Sequence, residues 1–542
     1  MRNHRYILSI GLLVLALAWT LWFVFAGFGN QQDPLYWLYK YEHLEGGWMA
    51  AGTLLVGGAV VRLFGASLLP LRLFGWLCTV TAIALPYCCL LEKEQRRNNL
   101  HWLALAYVLM GYGAFQEFSP GTLSVLLLSA IWVSVSKSQI INHKSEIINL
   151  KSQILSAILL GMAVTVRFPN ILVLLVLLPL WRKRSLWLLP VAAASAGIVY
   201  LLGYFFITPA LTDAAMSSHE WLDMLSKLWT NGGKLTGFLL ISLSVLALGQ
   251  ILNHKSQILN HKFEIINLKS EILGLAVGFL LAYFIAYATK PMQWYNTDLT
   301  YLISAFCLVL ALASTKSKIT NNKFEIINHK FEILSGAMIL IIATLGTDTA
   351  WLKLFPAVLC LLPVAAAHYA PDFRRYLFAV MAVMSLFVAV RMATNSVGGS
   401  NLTQATTVAT VAPYQGIAVR EREEQWLHQI QTDLNEPMLN VLAVGQRMHL
   451  VRAVTGCRAG EFNEFWSNIY DSVYTDKYRP LIRAEHPVVV CTFSPQFKTK
   501  PAYTDRQSAF ENMLREEGYR EVDRSEYKYM IYIPNQSSEY DQ

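Results

Sequence analysis

The stretch "GFGNQQDPLYWLYKYEHLEGGWMAAG", residues 27–52, sets Asp33, Glu42 and Glu45 among aromatic rings directly after an apolar segment. A carboxylate in such a place takes a proton from a hydroxyl, helps hold a cation, or caps a helix. Asp33 precedes Pro34, a common helix N-terminal signature, so both capping and proton transfer suit it. Glu42 and Glu45 read as the solvated face of a loop helix. A further isolated acid, Glu117, stands in "FQEFSP", at a helix end with Ser119 and Pro120 opening the next segment. Two carboxylates with no His or third acid make a weak metal site, so no obligatory metal or cofactor is expected. Among the cations, Lys40 and Lys290 fall in loops at membrane depth, whereas Arg62, Arg72 and Arg167 interrupt apolar runs. Arg72, Lys40 and Lys290 are each either a charge for an anion or a side chain anchoring a helix end, and Arg62 and Arg167 read as structural. His219, Glu220 and Asp223 read as an amphipathic loop helix, and Tyr36, Trp37, Tyr39, Tyr41, Trp294 and Tyr295 as an interfacial belt, with sugar stacking as an additional role open to them.

The elements that must position these residues are membrane helices. Of 542 residues 54% are hydrophobic and 15% charged, with mean hydropathy +0.38, which points to a polytopic membrane protein. The net charge of +8 follows from Lys and Arg in short loops, so it reports topology rather than nucleic-acid binding. A basic start followed by an apolar run of about 20 residues reads as an uncleaved first span with a cytoplasmic N-terminus. Residues 48–66 are rich in Gly, carry Arg62, and read as a segment dipping into the outer face. Spans follow near 68–91, 101–116 and 120–136. Residues 154–181 form a hairpin of two short helices broken at Pro169, and further spans are expected near 186–207, 235–251, 273–289, 299–315, 335–346, 352–368 and 376–393. The total is about 13 spans.

Three low-complexity inserts, at 137–155, 251–273 and 316–334, share a heptad-length repeat and fall on the cytoplasmic side of this topology. Their apolar residues recur as adjacent pairs, not as the alternating three-and-four seam of a coiled coil, so they read as expansions in loops that chemistry does not use, either irregular or as surface helices with Lys near anionic lipid. Beyond residue 394 a polar linker (395–410) leads to ordinary soluble sequence, 411–542. There the strand-like runs 440–445, 487–493 and 529–534 alternate with helical patterns, which suggests a small α/β domain outside the cytoplasm. "AVGQRMHL" is too weak a signal for nucleotide binding. Five cysteines (Cys78, Cys88, Cys89, Cys307, Cys360) lie in apolar runs; Cys457 and Cys491 are left open between a bridge and two thiols.

The acidic first loop, "VVRLFGASLLPLRLFGWLCTVTAIALPY", the acid of the second loop and "ILLGMAVTVRFPNILVLLVLLPL" together resemble the C-type glycosyltransferases (GT-C) that use polyprenyl-phosphate sugars. The similarity is to the aminoarabinose, protein mannosyl and lipopolysaccharide-core transferase branches, over residues 1–390. The resemblance implies a multi-pass transferase of the bacterial cytoplasmic (inner) membrane, with a periplasmic C-terminal domain and a polyprenyl-phosphate-linked sugar as donor. The acceptor is a glycan, lipid or protein, with no nucleic acid involved. By position in the first external loop it makes Asp33 the base that activates the acceptor hydroxyl, although relatives often carry two adjacent acids where this chain has "QQDPLY". It gives Glu117 a role in placing the acceptor or, in some branches, a divalent metal. It assigns Arg72, with Lys40 and Lys290, to the departing phosphate. Rival classes are a lipid-linked glycan polymerase or ligase, and a non-catalytic scaffold or transporter. A transporter would show repeated halves with ionisable residues inside the spans, which this sequence does not.

Overall fold

The computed structural model describes residues 2–27, 33–47, 50–110, 117–140, 146–181, 185–209, 236–247, 272–281, 283, 297–314, 333–342, 354–369, 371–394, 404–434, 440–445, 447–459, 471–492, 501–524, 526 and 529–535. The chain is mostly helical. In order, the elements to residue 394 are α1 (Arg2–Phe25), α2 (Asp33–His43), β1 (Glu45–Gly46), α3 (Ala51–Phe64), α4 (Leu68–Leu90), α5 (Lys93–Met110), α6 (Pro120–Ile140), α7 (Glu146–Val166), α8 (Leu174–Trp181), α9 (Ser185–Phe206), β2 (Thr208–Pro209), α10 (Thr236–Ala247), α11 (Ile272–Leu281), α12 (Thr297–Ser314), α13 (333–341), α14 (Leu354–Ala367) and α15 (Pro371–Thr394).

Among the described residues five helical stretches are long and apolar enough to cross a membrane: Tyr6–Phe25, Leu68–Leu90, Pro120–Lys137, Leu186–Phe206 and Phe373–Val390. Shorter apolar helices accompany them. The 14 residues of α3 reach about 21 Å at 1.5 Å per residue, short of a bilayer core of about 30 Å, in keeping with a segment that dips rather than spans. α14 is apolar all round and buried from Leu354 to Ala366, as a helix without a polar face must be. It packs on α12, α5 and α6. α9 is equally apolar but keeps Leu186 (83%) and Phe205 (69%) uncovered, the mark of a helix that faces lipid.

The break expected at Pro169 is present and its mechanism is visible. α7 ends at Val166, and a 3-10 turn over Phe168–Val173 follows with Pro169 in its first positions. Asn170 fixes the turn: its Nδ2 donates to the carbonyl of Ala163 at 2.8 Å and to Ser124 Oγ at 2.9 Å on α6. The chain then folds back, since Trp181 Nε1 at the end of α8 donates to Ser156 Oγ of α7 at 3.1 Å. In contrast to the expected pair of short helices, α7 runs 21 residues and begins inside the first insert, whose segment 146–155 takes the helical one of the two forms expected for it. The other two inserts lie almost wholly outside the described residues.

After residue 394 the chain forms β3 (Thr407–Val408), β4 (Ala418–Val419), α16 (Glu421–Asp433), β5 (Val441–Gly445), α17 (Met448–Thr455), β6 (Arg458–Ala459), α18 (Asp471–Glu485), β7 (Val488–Thr492), α19 (Pro501–Glu516), β8 (Tyr519–Arg524) and β9 (Tyr529–Pro534). Five of the strands make one sheet in the order β6-β5-β7-β9-β8, with β6, β5 and β7 parallel and β9 and β8 antiparallel. The central strands read as unbroken apolar runs because both faces are covered, as parallel strands require. Gly445 ends β5 with φ +94°, beside the Thr492 carbonyl where a Cβ has no room. Cys457 and Cys491 are both free thiols, next to β6 and within β7 on opposite sides of β5. Two strand spacings, about 9.5 Å, exceed the reach of a disulfide.

The chain divides into two compact units that are not contiguous in sequence. One is Met1–Phe25, Leu44–Val60 and Pro70–Val397; the other is Ala26–His43, Val61–Leu69 and Gly398–Gln542. The second unit thus takes in residues 26–43, which follow α1. Gly27 N donates to the Ala418 carbonyl at 2.7 Å, and Leu68 N to the Pro413 carbonyl at 3.0 Å.

Candidate functional site

In the helical unit, Arg72 and Glu117 come together although 45 residues separate them. Arg72 lies in the first turns of α4, and its Nε is 3.3 Å from Glu117 Oε1. Arg72 is fully buried and Glu117 is 7% exposed. The segment after Glu117 is seated by backbone as well. Phe118 N donates to the Leu71 carbonyl at 3.0 Å, and the Phe118 ring packs on Phe74 at 4.9 Å between centroids. Gly75 makes this approach feasible, because a Cβ there would lie 2.6 Å from the Glu117 carbonyl carbon and the Phe118 nitrogen. Ser119 and Thr122 exchange hydrogen bonds at the start of α6, opening that helix with Pro120 in its first turn. The arrangement fixes one carboxylate, with its countercharge, just before the start of α6. Such a buried pair orients its acid but adds little net stability, because desolvation offsets the attraction.

In the other unit, Asp33 is the first residue of α2 and Lys40 stands two turns later on the same side of the helix. The Asp33 side chain is outside the described residues. α2 is not a surface helix with its rings toward an interface. Tyr36 is 8% exposed, Tyr41 is fully buried and Lys40 is 6% exposed, and Trp37 stacks on Tyr41 at 5.8 Å. The aromatic run thus forms packing around α2 rather than the expected belt. The partner element is α17: Tyr36 meets the His449 ring at 5.4 Å, and the Arg452 guanidinium lies 3.4 Å above the Tyr39 ring. Burial, then Arg452, then Lys40 hold the His449 pKa well below its usual 6.5. Arg447, the N-cap of α17, is 4% exposed, stacks over Trp426 at 4.8 Å and is pushed down to about 10 by burial. Its Nη1 has no hydrogen-bond partner among the described residues.

The other expected residues distribute as follows. Glu42 is exposed, and Glu45 is not on a helix but in β1, paired in parallel register with Thr208. Arg62 is exposed near the end of α3, and Arg167 is half-buried at the N-cap of the 3-10 turn. Lys290, Trp294, Tyr295, His219, Glu220 and Asp223 lie outside the described residues. Among the described residues no group of three or more His, Cys, Asp or Glu is placed to hold a metal ion. The sequence does not single out His449 and Arg452, since "AVGQRMHL" reads only as a weak nucleotide-binding signal. Two basic residues three apart on a helix directly after a strand were the available signal. A groove of about 360 Å³ on α16, lined among others by Glu421, Glu424, Gln425 and His428, contains none of the expected residues.

No family model and no curated protein matches this chain. Among solved structures it is similar to ArnT from Cupriavidus metallidurans in the apo state, with TM-score 0.45 and 11% identity over 98% of each chain. It is similar also to ArnT from the same organism bound to undecaprenyl phosphate, with TM-score 0.44 and 11% identity over 97% of each chain. Similarity at this distance leaves the chemistry to be argued from the chain's own residues.

Proposed function

We propose that this chain is an integral membrane glycosyltransferase of the C type. It moves a sugar from a polyprenyl-phosphate donor to an envelope glycan, lipid or protein on the outer face of the cytoplasmic membrane. The reading places the N-terminus in the cytoplasm and the helical domain over 1–394, with about 13 spans. A linker over 395–410 and a periplasmic α/β domain over 411–542 complete it. The observation that supports the reading is the buried Arg72–Glu117 pair, which holds one acid in fixed orientation just before α6. The sequence resemblance of residues 1–390 supports it independently.

The reaction needs three things. An acceptor hydroxyl is a poor nucleophile at neutral pH, so a carboxylate must take its proton as the oxygen attacks the sugar's anomeric carbon. In this reading Asp33 is that base and Glu117 positions the acceptor. The bond from the anomeric carbon to the phosphate oxygen breaks, and polyprenyl phosphate departs as an anion that fixed cations stabilise. Arg72, Lys40 and Lys290 are the cations assigned to it. No metal is assigned a role.

The test is transfer in membranes. Membranes containing the wild-type chain, Glu117→Gln or no chain are given a radiolabelled polyprenyl-phosphate sugar, and label is followed into the envelope glycan fraction. Chain-dependent transfer, weakened in Glu117→Gln, supports the reading; an identical label distribution with and without the chain refutes it.

A further inference from the structure

α16 carries a polar groove of about 360 Å³, within the range of about 300–1,000 Å³ usual for small-molecule sites. Glu421, Glu424, Gln425, His428, Gln429 and Thr432 stand at i, i+3, i+4, i+7, i+8 and i+11, so they form one stripe along the helix, about 16 Å long at 1.5 Å per residue. No Lys or Arg lines the groove. Most donors of the stripe are engaged within the protein. Thr410 donates its amide and its hydroxyl to Glu424 Oε1 at 2.9 and 2.6 Å, so His428 Nε2, 3.0 Å from that hydroxyl oxygen and 3.1 Å from Oε1, is a donor as well. Gln429 Nε2 donates to Asp433 Oδ1 at 2.9 Å, and the Thr432 hydroxyl to the His428 carbonyl at 2.8 Å. What the stripe keeps to offer is mainly acceptors: the Gln429 carbonyl oxygen, the Thr432 oxygen and the carboxylate of Glu421, which is exposed and has no ion-pair partner among the described residues. Glu424 is 8% exposed, and its Oε2 has no hydrogen-bond partner among the described residues. A carboxylate oxygen shielded from water without a donor is costly, and a positive charge in the groove offsets that cost. A calcium ion fits poorly, since it gathers about six to eight oxygens within about 2.6 Å, whereas these acceptors are spread over three turns. Spread acceptors suit a flexible chain that carries positive charges at intervals.

We propose that this groove binds a linear aliphatic polyamine, with one ammonium group held by Glu421 and Glu424 and a second by Gln429 and Thr432. The site lies wholly within one compact unit and uses none of the residues assigned to sugar transfer, so it does not rest on the transferase reading.

The experiment measures binding without a sugar donor, using the full chain in phosphatidylcholine nanodiscs. Calorimetric titrations use spermidine in one arm and calcium chloride in the other, each against sodium chloride at matched ionic strength and against discs without the chain. Wild type is expected to bind spermidine saturably. Glu421→Gln and Glu424→Gln are expected to weaken that binding about tenfold or more, because each removes a charged acceptor. Gln425→Lys is expected to abolish it by placing a fixed ammonium group in the groove. Glu42→Gln, which alters an exposed acid of α2 outside the groove, is expected to bind as wild type does. Each variant is compared by circular dichroism and melting temperature. If Glu424→Gln does not fold, Glu421→Gln and Gln425→Lys carry the test, since both positions are exposed. No heat from spermidine beyond the two controls overturns the site, as does equal affinity in wild type and in folded Glu421→Gln and Gln425→Lys. Calcium binding that depends on Glu421 and Glu424, with none of spermidine, makes the groove a metal site and overturns the proposal. Spermidine binding weakened as much by Glu42→Gln as by the groove variants shows only a general attraction to negative surface, and overturns it too.

Discussion

A carboxylate that serves only as a cap and one that serves as a base respond differently to the loss of one oxygen's basicity. Asn caps a helix about as well as Asp, so Asp33→Asn keeps α2 and leaves stability within about 1 kcal/mol. If Asp33 takes the acceptor proton, the same change lowers the transfer rate by about 100-fold to 10,000-fold. Rate and melting temperature measured on one preparation separate the two. The Arg72–Glu117 pair calls for a different comparison. Breaking it from one side leaves a buried charge uncompensated, so Arg72→Met alone costs about 3–5 kcal/mol by thermal or denaturant unfolding. The double variant Arg72→Met/Glu117→Gln recovers much of that loss. Transfer stays low in the double variant if Glu117 places the acceptor, whereas recovery of transfer together with stability reduces the pair to scaffolding. The position of Asp33 at the start of α2 was legible from "DP", because capping is local chemistry. The pairing of Arg72 with Glu117 was not, because it depends on a tertiary approach that Gly75 permits and no periodicity records. His449 and Arg452 were likewise invisible, since their meeting with Tyr36 and Tyr39 joins segments about 400 residues apart.

At the level of elements, long apolar runs and breakers were readable and polar edges were not. α4, α9 and α15 lie close to where hydropathy put them, and the turn at Pro169 follows from a missing N–H donor and a ring clash. β5, β7 and β9 were expected nearly to the residue, because buried strands are apolar throughout. β8, "YREVDR", was missed: it is the outer strand beyond β9 and needs no apolar face of its own. α7 shows how an insert joins a fold. Its first turns come from the heptad repeat, but residues 150–155 are exposed or half-buried, and the packed part begins at Ser156, which accepts from Trp181. Deletion of residues 139–152, of which the described 150–152 are exposed or half-buried, is expected to leave transfer activity within a few fold. Complete loss of activity in a normally inserted deletion protein would show that the insert is a working element.

For the whole molecule the account makes a claim of sidedness and a claim of chemistry. A reporter fused after residue 540 is expected on the periplasmic side and one placed within any of the three inserts on the cytoplasmic side. Both on one side would remove the topology that puts Asp33 and Glu117 in external loops. The mostly helical character and the small sheet near the C-terminus were legible because composition shifts sharply at residue 395. The inclusion of residues 26–43 in the same compact unit as the C-terminal sheet was not, since it rests on contacts such as Gly27 to Ala418 that leave no pattern in sequence. The most direct test uses the purified chain in lipid nanodiscs with a radiolabelled polyprenyl-phosphate sugar and an envelope lipid extract as acceptor, following label and free polyprenyl phosphate together in a single turnover. The account predicts that label leaves the donor as polyprenyl phosphate appears in equal amount, and that both processes slow by about 100-fold or more in Asp33→Asn. Label that stays on the donor with wild-type protein, or an undiminished rate in Asp33→Asn, would contradict it.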